Sequence, residues 1–167
     1  MKIYLAGSVP KSKEEIEKFV NWREGYKKVL KKYFDCECVN PFVRDIDETD
    51  LFGVFGFDCG LMKDCDLVVV NASDKLGAGT AQEMVIAKYF KKPVVTILPK
   101  NTYQRRSNVE INGKVVKEWM HPFVFSFSDF IIEDIEEIGD VKEKISNTKI
   151  KTIEVIDEAI EYFESKN

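Results

Sequence analysis

Residues 65–98, CDLVVVNASDKLGAGTAQEMVIAKYFKKPVVTIL, decide the fold. The apolar run 67–71 has the length and β-branched content of a buried strand, and 94–98 repeats it behind Pro93, a residue tolerated at a strand start. Between them, 81–90 has helical spacing, and Gly77-Ala78-Gly79-Thr80 reads as the turn that enters the helix. Strand, glycine-bearing turn, helix and strand make one parallel crossover unit. The turn delivers Glu83 into the first helical turn, at the carboxyl end of a strand, where open α/β sheets keep their active sites.

Working outward, Ile3-Tyr4-Leu5-Ala6 closed by Gly7-Ser8 reads as the first strand. Residues 11–32 then read as one helix, with Ile16, Phe19, Val20, Tyr26, Val29 and Leu30 on a broad face and Ser12 and Glu15 as a capping box. Residues 36–40 form a second strand stopped by Pro41, and a loop from 42 enters a helix near Phe57 that ends at Asp64. Beyond Pro99, Asn112-Gly113 between two β-branched runs signals a hairpin. Residues 130–145 and 149–163 have helical spacing, with Phe130-Ile131-Ile132 as an alternative fifth strand. Alternating strands and helices predict a doubly wound, flavodoxin-like α/β fold in a single domain, residues 1–167. It has a five-stranded, mostly parallel sheet with helices on both faces. In the order 2-1-3-4-5, strands one and three are neighbours and the crevice between their carboxyl ends is the switch point.

Composition narrows the function. The chain of 167 residues is 44% hydrophobic and 32% charged, as expected of a globular protein. A net charge of −4 argues against sequence-independent binding of nucleic-acid polymers. No apolar run is long enough to span a membrane. The four cysteines (36, 38, 59 and 65) and the single histidine, His121, follow no zinc-ligand spacing. A cytoplasmic, reducing setting is the expectation, with neither metal nor cofactor. The acidic run 45–50 lacks the spacing and glycine of a calcium loop.

The crevice at the switch point is within reach of Tyr4, Ser8, Asp58 and Glu83. Each has an ordinary reading: an aspartate caps helices, a strand tyrosine packs the core, and a first-turn glutamate gains ~0.3–1 kcal/mol from the helix dipole. The glycines at 77 and 79 add a second signal, because they let the backbone approach a ligand closely. The turn is neither a dinucleotide fingerprint nor a phosphate loop. Two carboxylates flanking one sugar bond suit glycosidic chemistry, one attacking the anomeric carbon and the other handling the leaving group's proton.

On Lys2-Ile3-Tyr4-Leu5-Ala6-Gly7-Ser8, on Asp58 with Cys65-Asp66-Leu67-Val68-Val69-Val70, on Gly77-Ala78-Gly79-Thr80-Ala81-Gln82-Glu83 and on Lys92-Pro93-Val94-Val95, the chain resembles the nucleoside 2-deoxyribosyltransferase family. That family includes the 2′-deoxynucleoside 5′-monophosphate N-hydrolases. The resemblance covers roughly the first 100 residues. It implies cleavage of an N-glycosidic bond with transfer of the deoxyribosyl group to another base or to water. It implies Glu83 as nucleophile in a covalent glycosyl-enzyme intermediate, Asp58 as acid/base, and Tyr4 as the group that orients Glu83. Gly7, Ser8, Gly77 and Gly79 would line the sugar or its 5′ end, and a homodimer or larger homo-oligomer is implied.

One departure matters. Monophosphate hydrolases of the family carry a serine six residues before the nucleophile, and transferases an aspartate; this chain has Gly77 there. After a small shift in the loop Asp74 or Lys75 can substitute, Lys75 favouring a phosphate, with Lys11, Arg44, Arg105 and Arg106 as other cations available to it. A nucleotide-binding module without turnover is the reading from another class. The aromatics Phe52, Phe55, Phe57, Trp22 and Trp119 are expected in the core rather than in a base-stacking wall.

Overall fold

In chain order the strands are β1 (Lys2–Ala6), β2 (Glu37–Val39), β3 (Leu67–Asn71), β4 (Val94–Ile97), β5 (Arg105–Ile111), β6 (Lys114–Met120) and β7 (Phe130–Ile132). The computed structural model describes residues 1–10, 12–42 and 45–166, apart from the side chains of Ile16 and Lys18. Five strands form one sheet in the order β2-β1-β3-β4-β7, with every pairing parallel. This is the expected doubly wound order, and Phe130–Ile132 supplies its fifth strand. β5 and β6 stand apart as an antiparallel pair, joined through Asn112 and Gly113 at φ 50° and 74°. Positive φ at both positions is what a type I′ turn requires.

The helices are α1 (Lys13–Lys18), α2 (Trp22–Tyr33), α3 (Leu51–Asp64), α4 (Ala78–Tyr89), α5 (Pro122–Phe127), α6 (Ile138–Asn147) and α7 (Val155–Glu164). The period of two along the strands separates two cores. Ile3 and Leu5 join Leu67 and Val69 under Val29 and Leu30 of α2 and Ile138 of α6. Tyr4 and Ala6 join Val68 and Val70 under Met62 of α3 and Met84 and Ala87 of α4. Tyr4 is thereby committed to the face that carries α3 and α4. Among the described residues, no helix is long and apolar enough to cross a membrane.

Beyond Pro99, the helix expected over 130–145 begins at Ile138 behind β7, and the one expected over 149–163 begins at Val155. Three further boundaries differ from expectation, each for a local reason. The helix expected over 11–32 is two helices, although Ser12 Oγ does accept from the Glu15 amide at 3.2 Å. The break leaves Val20 exposed and turns Arg23 inward, where it is fully buried. α3 begins at Leu51 rather than near Phe57, because Asp50 caps it, its Oδ1 accepting from the Gly53 amide at 2.9 Å. A Cβ at Gly53 would meet that carboxylate at 2.3 Å, so the glycine belongs to the cap. The longer α3 leaves Leu51, Phe52 and Phe55 exposed, against the core placement expected of the two phenylalanines. α4 begins at Ala78, so 78–80 form its first turn and Glu83 lies in the second.

One buried ion pair ties the amino end of β4 to the rest. Lys88 on α4 is fully buried and donates from Nζ to Asp129 Oδ2. Asp129 also accepts from the backbone amides of Val94 and Lys151, each at 2.7 Å. Burial pulls the Lys88 ammonium below its ordinary value, and Asp129 opposes that shift. Removing one partner of such a pair leaves a buried charge uncompensated. We therefore expect Asp129→Ala to lower the unfolding free energy by about 3–5 kcal/mol in urea titrations, against little change for Glu136→Ala at the exposed Lys32–Glu136 pair.

Candidate active site

The strand order reverses between β1 and β3, so their carboxyl ends border the natural crevice of the sheet. A cavity of about 250 Å³ opens there. Gly7, Ser8 and Val9 reach it from the end of β1, Pro41 and Phe42 from the end of β2, and Asp58 from α3. Lys75 comes from the loop after β3, with Gly77, Gly79, Thr80 and Glu83 at the start of α4. Every residue singled out in sequence as catalytic or substrate-binding lines this cavity except Tyr4. Tyr4 is fully buried and donates from its hydroxyl to Glu83 Oε1 at 2.7 Å.

The bond follows from the placements already described. Tyr4 points from β1 toward the α3/α4 side of the sheet, and Glu83 sits one turn into α4 on the same side. Being in the second turn, Glu83 gains little from the helix dipole, whose effect falls off within the first. Burial dominates and pushes its carboxyl up to about 7, with Asp58 adding repulsion, while the Tyr4 hydrogen bond and Arg23 pull the other way. Burial and the same carboxylate lift the Tyr4 hydroxyl above its ordinary value, so it remains a donor. A carboxyl poised near neutrality beside a second carboxylate in a cleft has the electrostatics of an acid/base or nucleophilic site.

Arg23 is the residue that the sequence concealed. Its guanidinium donates to three backbone carbonyls, those of Leu5 at 3.2 Å, Gly7 at 2.8 Å and Ser8 at 3.2 Å. It also lies 4.3 Å from the ring centroid of Trp22. One buried cation therefore satisfies the carbonyls that β1 leaves open as it exits the sheet. Gly7 packs beneath the same indole, where a Cβ would come within 2.6 Å of the ring. An arginine near the start of a helix gives no signal of this in sequence. Phe42 was equally unmarked, and its only clue is that it follows Pro41 at the carboxyl end of an edge strand.

Among the candidate cations of the described residues, Lys75 lines the cavity and the others fall elsewhere. Lys75 Nζ lies 5.5 Å from the Tyr103 ring centroid and makes no ion pair among the described residues. Arg105 is engaged with Glu118, Glu133 and the Leu98 carbonyl, and Arg106 stacks on Tyr103 and Trp119, so neither reaches the cavity. Lys11 and Arg44 lie outside the described residues. His121 precedes α5, away from Glu83. In the acidic run, Asp47 accepts from Thr49 and Asp50 caps α3. Among the described residues, no group of three histidine, cysteine or acidic side chains is arranged to hold a metal.

The raised Glu83 value makes a stability prediction. Its folded-state value lies above the unfolded one, so the folded state binds more protons between about 4.5 and 7 and loses stability as pH rises through that window. The cost above both values is roughly 3 kcal/mol. We expect Glu83→Gln to gain stability of that order at pH 8.5 and almost none at pH 4, measured by denaturant unfolding at each pH. An equal effect at the two pH values would contradict the assigned burial of charge.

No protein-family model and no curated protein matches the chain in sequence. In three dimensions it is similar to the 2-deoxyribosyltransferase of the psychrotolerant bacterium Bacillus psychrosaccharolyticus, with a TM-score of 0.60 at 18% identity, covering 91% of this chain and 98% of that one. The CMP N-glycosidase BcmB of Clostridium botulinum aligns with a TM-score of 0.49 at 17% identity, covering 86% and 98%. The first of these likenesses establishes a shared fold.

Proposed function

We propose that the chain is an enzyme of the nucleoside 2-deoxyribosyltransferase type, breaking the N-glycosidic bond of a 2′-deoxynucleoside or its 5′-monophosphate. The observation that carries this reading is the 2.7 Å hydrogen bond by which buried Tyr4 presents Glu83 to a cavity shared with Asp58. The fold shared with a 2-deoxyribosyltransferase supports it. In the first step a Glu83 carboxylate oxygen attacks C1′, the C1′–N bond breaks, and Asp58 gives a proton to the departing base. In the second, an acceptor nitrogen or water attacks C1′, the Glu83 ester bond breaks, and Asp58 takes the proton back. The covalent route replaces one difficult displacement by two easier ones. Gly7, Ser8, Gly77 and Gly79 offer backbone to the sugar at close range, and Phe42 supplies an apolar wall for the base.

The 5′-monophosphate reading, with water as acceptor, draws support from the amino end of α4. Gly77 caps that helix without a side-chain hydrogen bond, and Gly77, Gly79 and Thr80 line the cavity together with Lys75. Helix amino ends with a nearby cation suit a phosphate. Self-association as a homodimer or larger is supported by the exposed Leu51, Phe52 and Phe55 on α3. Sedimentation of a fully active monomer would contradict it.

We expect Glu83→Ala to lower base release from deoxynucleosides or deoxynucleotides by about 10³-fold or more, followed by chromatography of the free base. Retained activity would remove Glu83 as nucleophile, and tight binding without base release by the wild type would make the chain a nucleotide-binding module. Tyr4→Phe removes a hydrogen bond that lowers the Glu83 value, so the acid limb of kcat/KM, near pH 7 in the wild type, should move to higher pH. Lys75→Ala should raise KM for a monophosphate and leave that for the nucleoside unchanged. Adding a second base and looking for a new nucleoside distinguishes transfer from hydrolysis.

A further inference from the structure

Behind the candidate nucleophile loop, on the other side of the first turns of α4, lies a second cavity of about 380 Å³. It meets the catalytic cavity only at Gly77, which lines both. Its walls are apolar, formed by Leu76, Ala81, Met84 and Val85 on the α4 side and by Phe123, Val124 and Phe127 of α5. Three polar side chains interrupt them, Gln82, Gln104 and His121, and two of these carry a buried atom without a partner. Gln104 is 5% exposed, and its Oε1 is buried without a hydrogen-bond partner; His121 Nδ1 is buried and unpartnered as well. The His121 amide donates to the Gln104 carbonyl at 2.8 Å, which holds the two residues side by side.

A buried polar atom without a partner costs the fold roughly 1–3 kcal/mol. Two in one cavity, beside mostly apolar walls, are the pattern of a small-molecule site: mostly apolar, with a few placed polar groups and a volume within ~300–1,000 Å³. The groups also define the ligand. No residue lining the cavity carries a carboxylate, ammonium or guanidinium, so an ionic ligand would find no counter-charge there. Gln104 Oε1 calls for an N–H donor, and an imidazole nitrogen can meet either a donor or an acceptor. The His121 and Phe123 rings, 6.0 Å apart, offer aromatic surface to a flat molecule.

We infer that this cavity is a second binding site, distinct from the catalytic one, for a neutral flat heterocycle bearing an N–H donor, of which a free nucleobase is the type. The choice of a nucleobase rests on the reaction proposed above; the cavity and its two unpartnered atoms do not. A ligand held there touches Leu76, Gly77 and Ala78, and so bears on the loop from which α4 presents Glu83.

The chain has a single histidine, so protein labelled with ¹⁵N-histidine reports on this cavity through one imidazole. Titrating free adenine into the labelled full chain should saturably move the His121 Nδ1 resonance. Gln104→Leu should weaken that binding about tenfold, the worth of one buried hydrogen bond. Ala81→Trp replaces an exposed helical side chain rather than a buried one, fills the cavity and should abolish binding. The same titration on Glu83→Ala should be unchanged, so the result stands apart from turnover and from the nucleophile assignment. An unmoved resonance at saturating adenine, or unaltered affinity in both cavity variants, would overturn the proposal. A resonance that follows protein concentration and not adenine would make the cavity a contact between chains, and would overturn it too.

Discussion

The Tyr4–Glu83 hydrogen bond joins a residue on β1, an inner strand of the sheet, to one on the helix that packs across it. It forms where the core meets the cavity, between a fully buried hydroxyl and a half-buried carboxylate, and it sets what each can be. Tyr4 stays protonated because a carboxylate faces it in a buried setting. Glu83 sits near neutrality because burial raises its value further than the hydroxyl and Arg23 lower it. The strand register, the start of α4 and the glycine-rich first turn of that helix all bear on this one contact.

Charge near the site is balanced by placement. Arg23 spends its donors on the carbonyls of Leu5, Gly7 and Ser8 instead of on a carboxylate, so it supports the loop and still tempers the field at Glu83. Asp58 acts in the opposite sense. A direct Arg–Glu ion pair would have held Glu83 firmly ionised and tied up its oxygens. An arginine engaged with backbone leaves the carboxylate available. The Lys88–Asp129 pair, at the other end of the sheet, is closed on itself and serves the scaffold.

The parallel sheet was legible because its strands are short, continuous apolar runs, and strands buried on both faces must be so. The grouping of Ser8, Asp58 and Glu83 around one crevice followed from strand order, while Gly77 and Gly79 came with the family resemblance and Lys75 with the search for a phosphate partner. The capping box at Ser12 and Glu15 marked the start of α1, but the starts of α3 and α4 were not legible. The stretch before Phe57, with Gly53 and Gly56, read as a loop where Asp50 caps a helix, and Gly77-Ala78-Gly79-Thr80 looked like a turn although its last three residues are already helical. Glycine reports permissiveness, not conformation, and the neighbouring cap decides. Arg23 was hidden for a different reason: its partners are backbone carbonyls, which have no sequence signature.

The account turns on Glu83 forming a bond to the sugar. The most direct measurement is the intact mass of the full chain, acid-quenched during turnover of a deoxynucleoside or its monophosphate, followed by peptide mapping. A deoxyribosyl adduct, phosphorylated with the nucleotide, on the peptide carrying Glu83 is the predicted result. Base release with no adduct on any trapped time point, or an adduct on a peptide lacking Glu83, would contradict it.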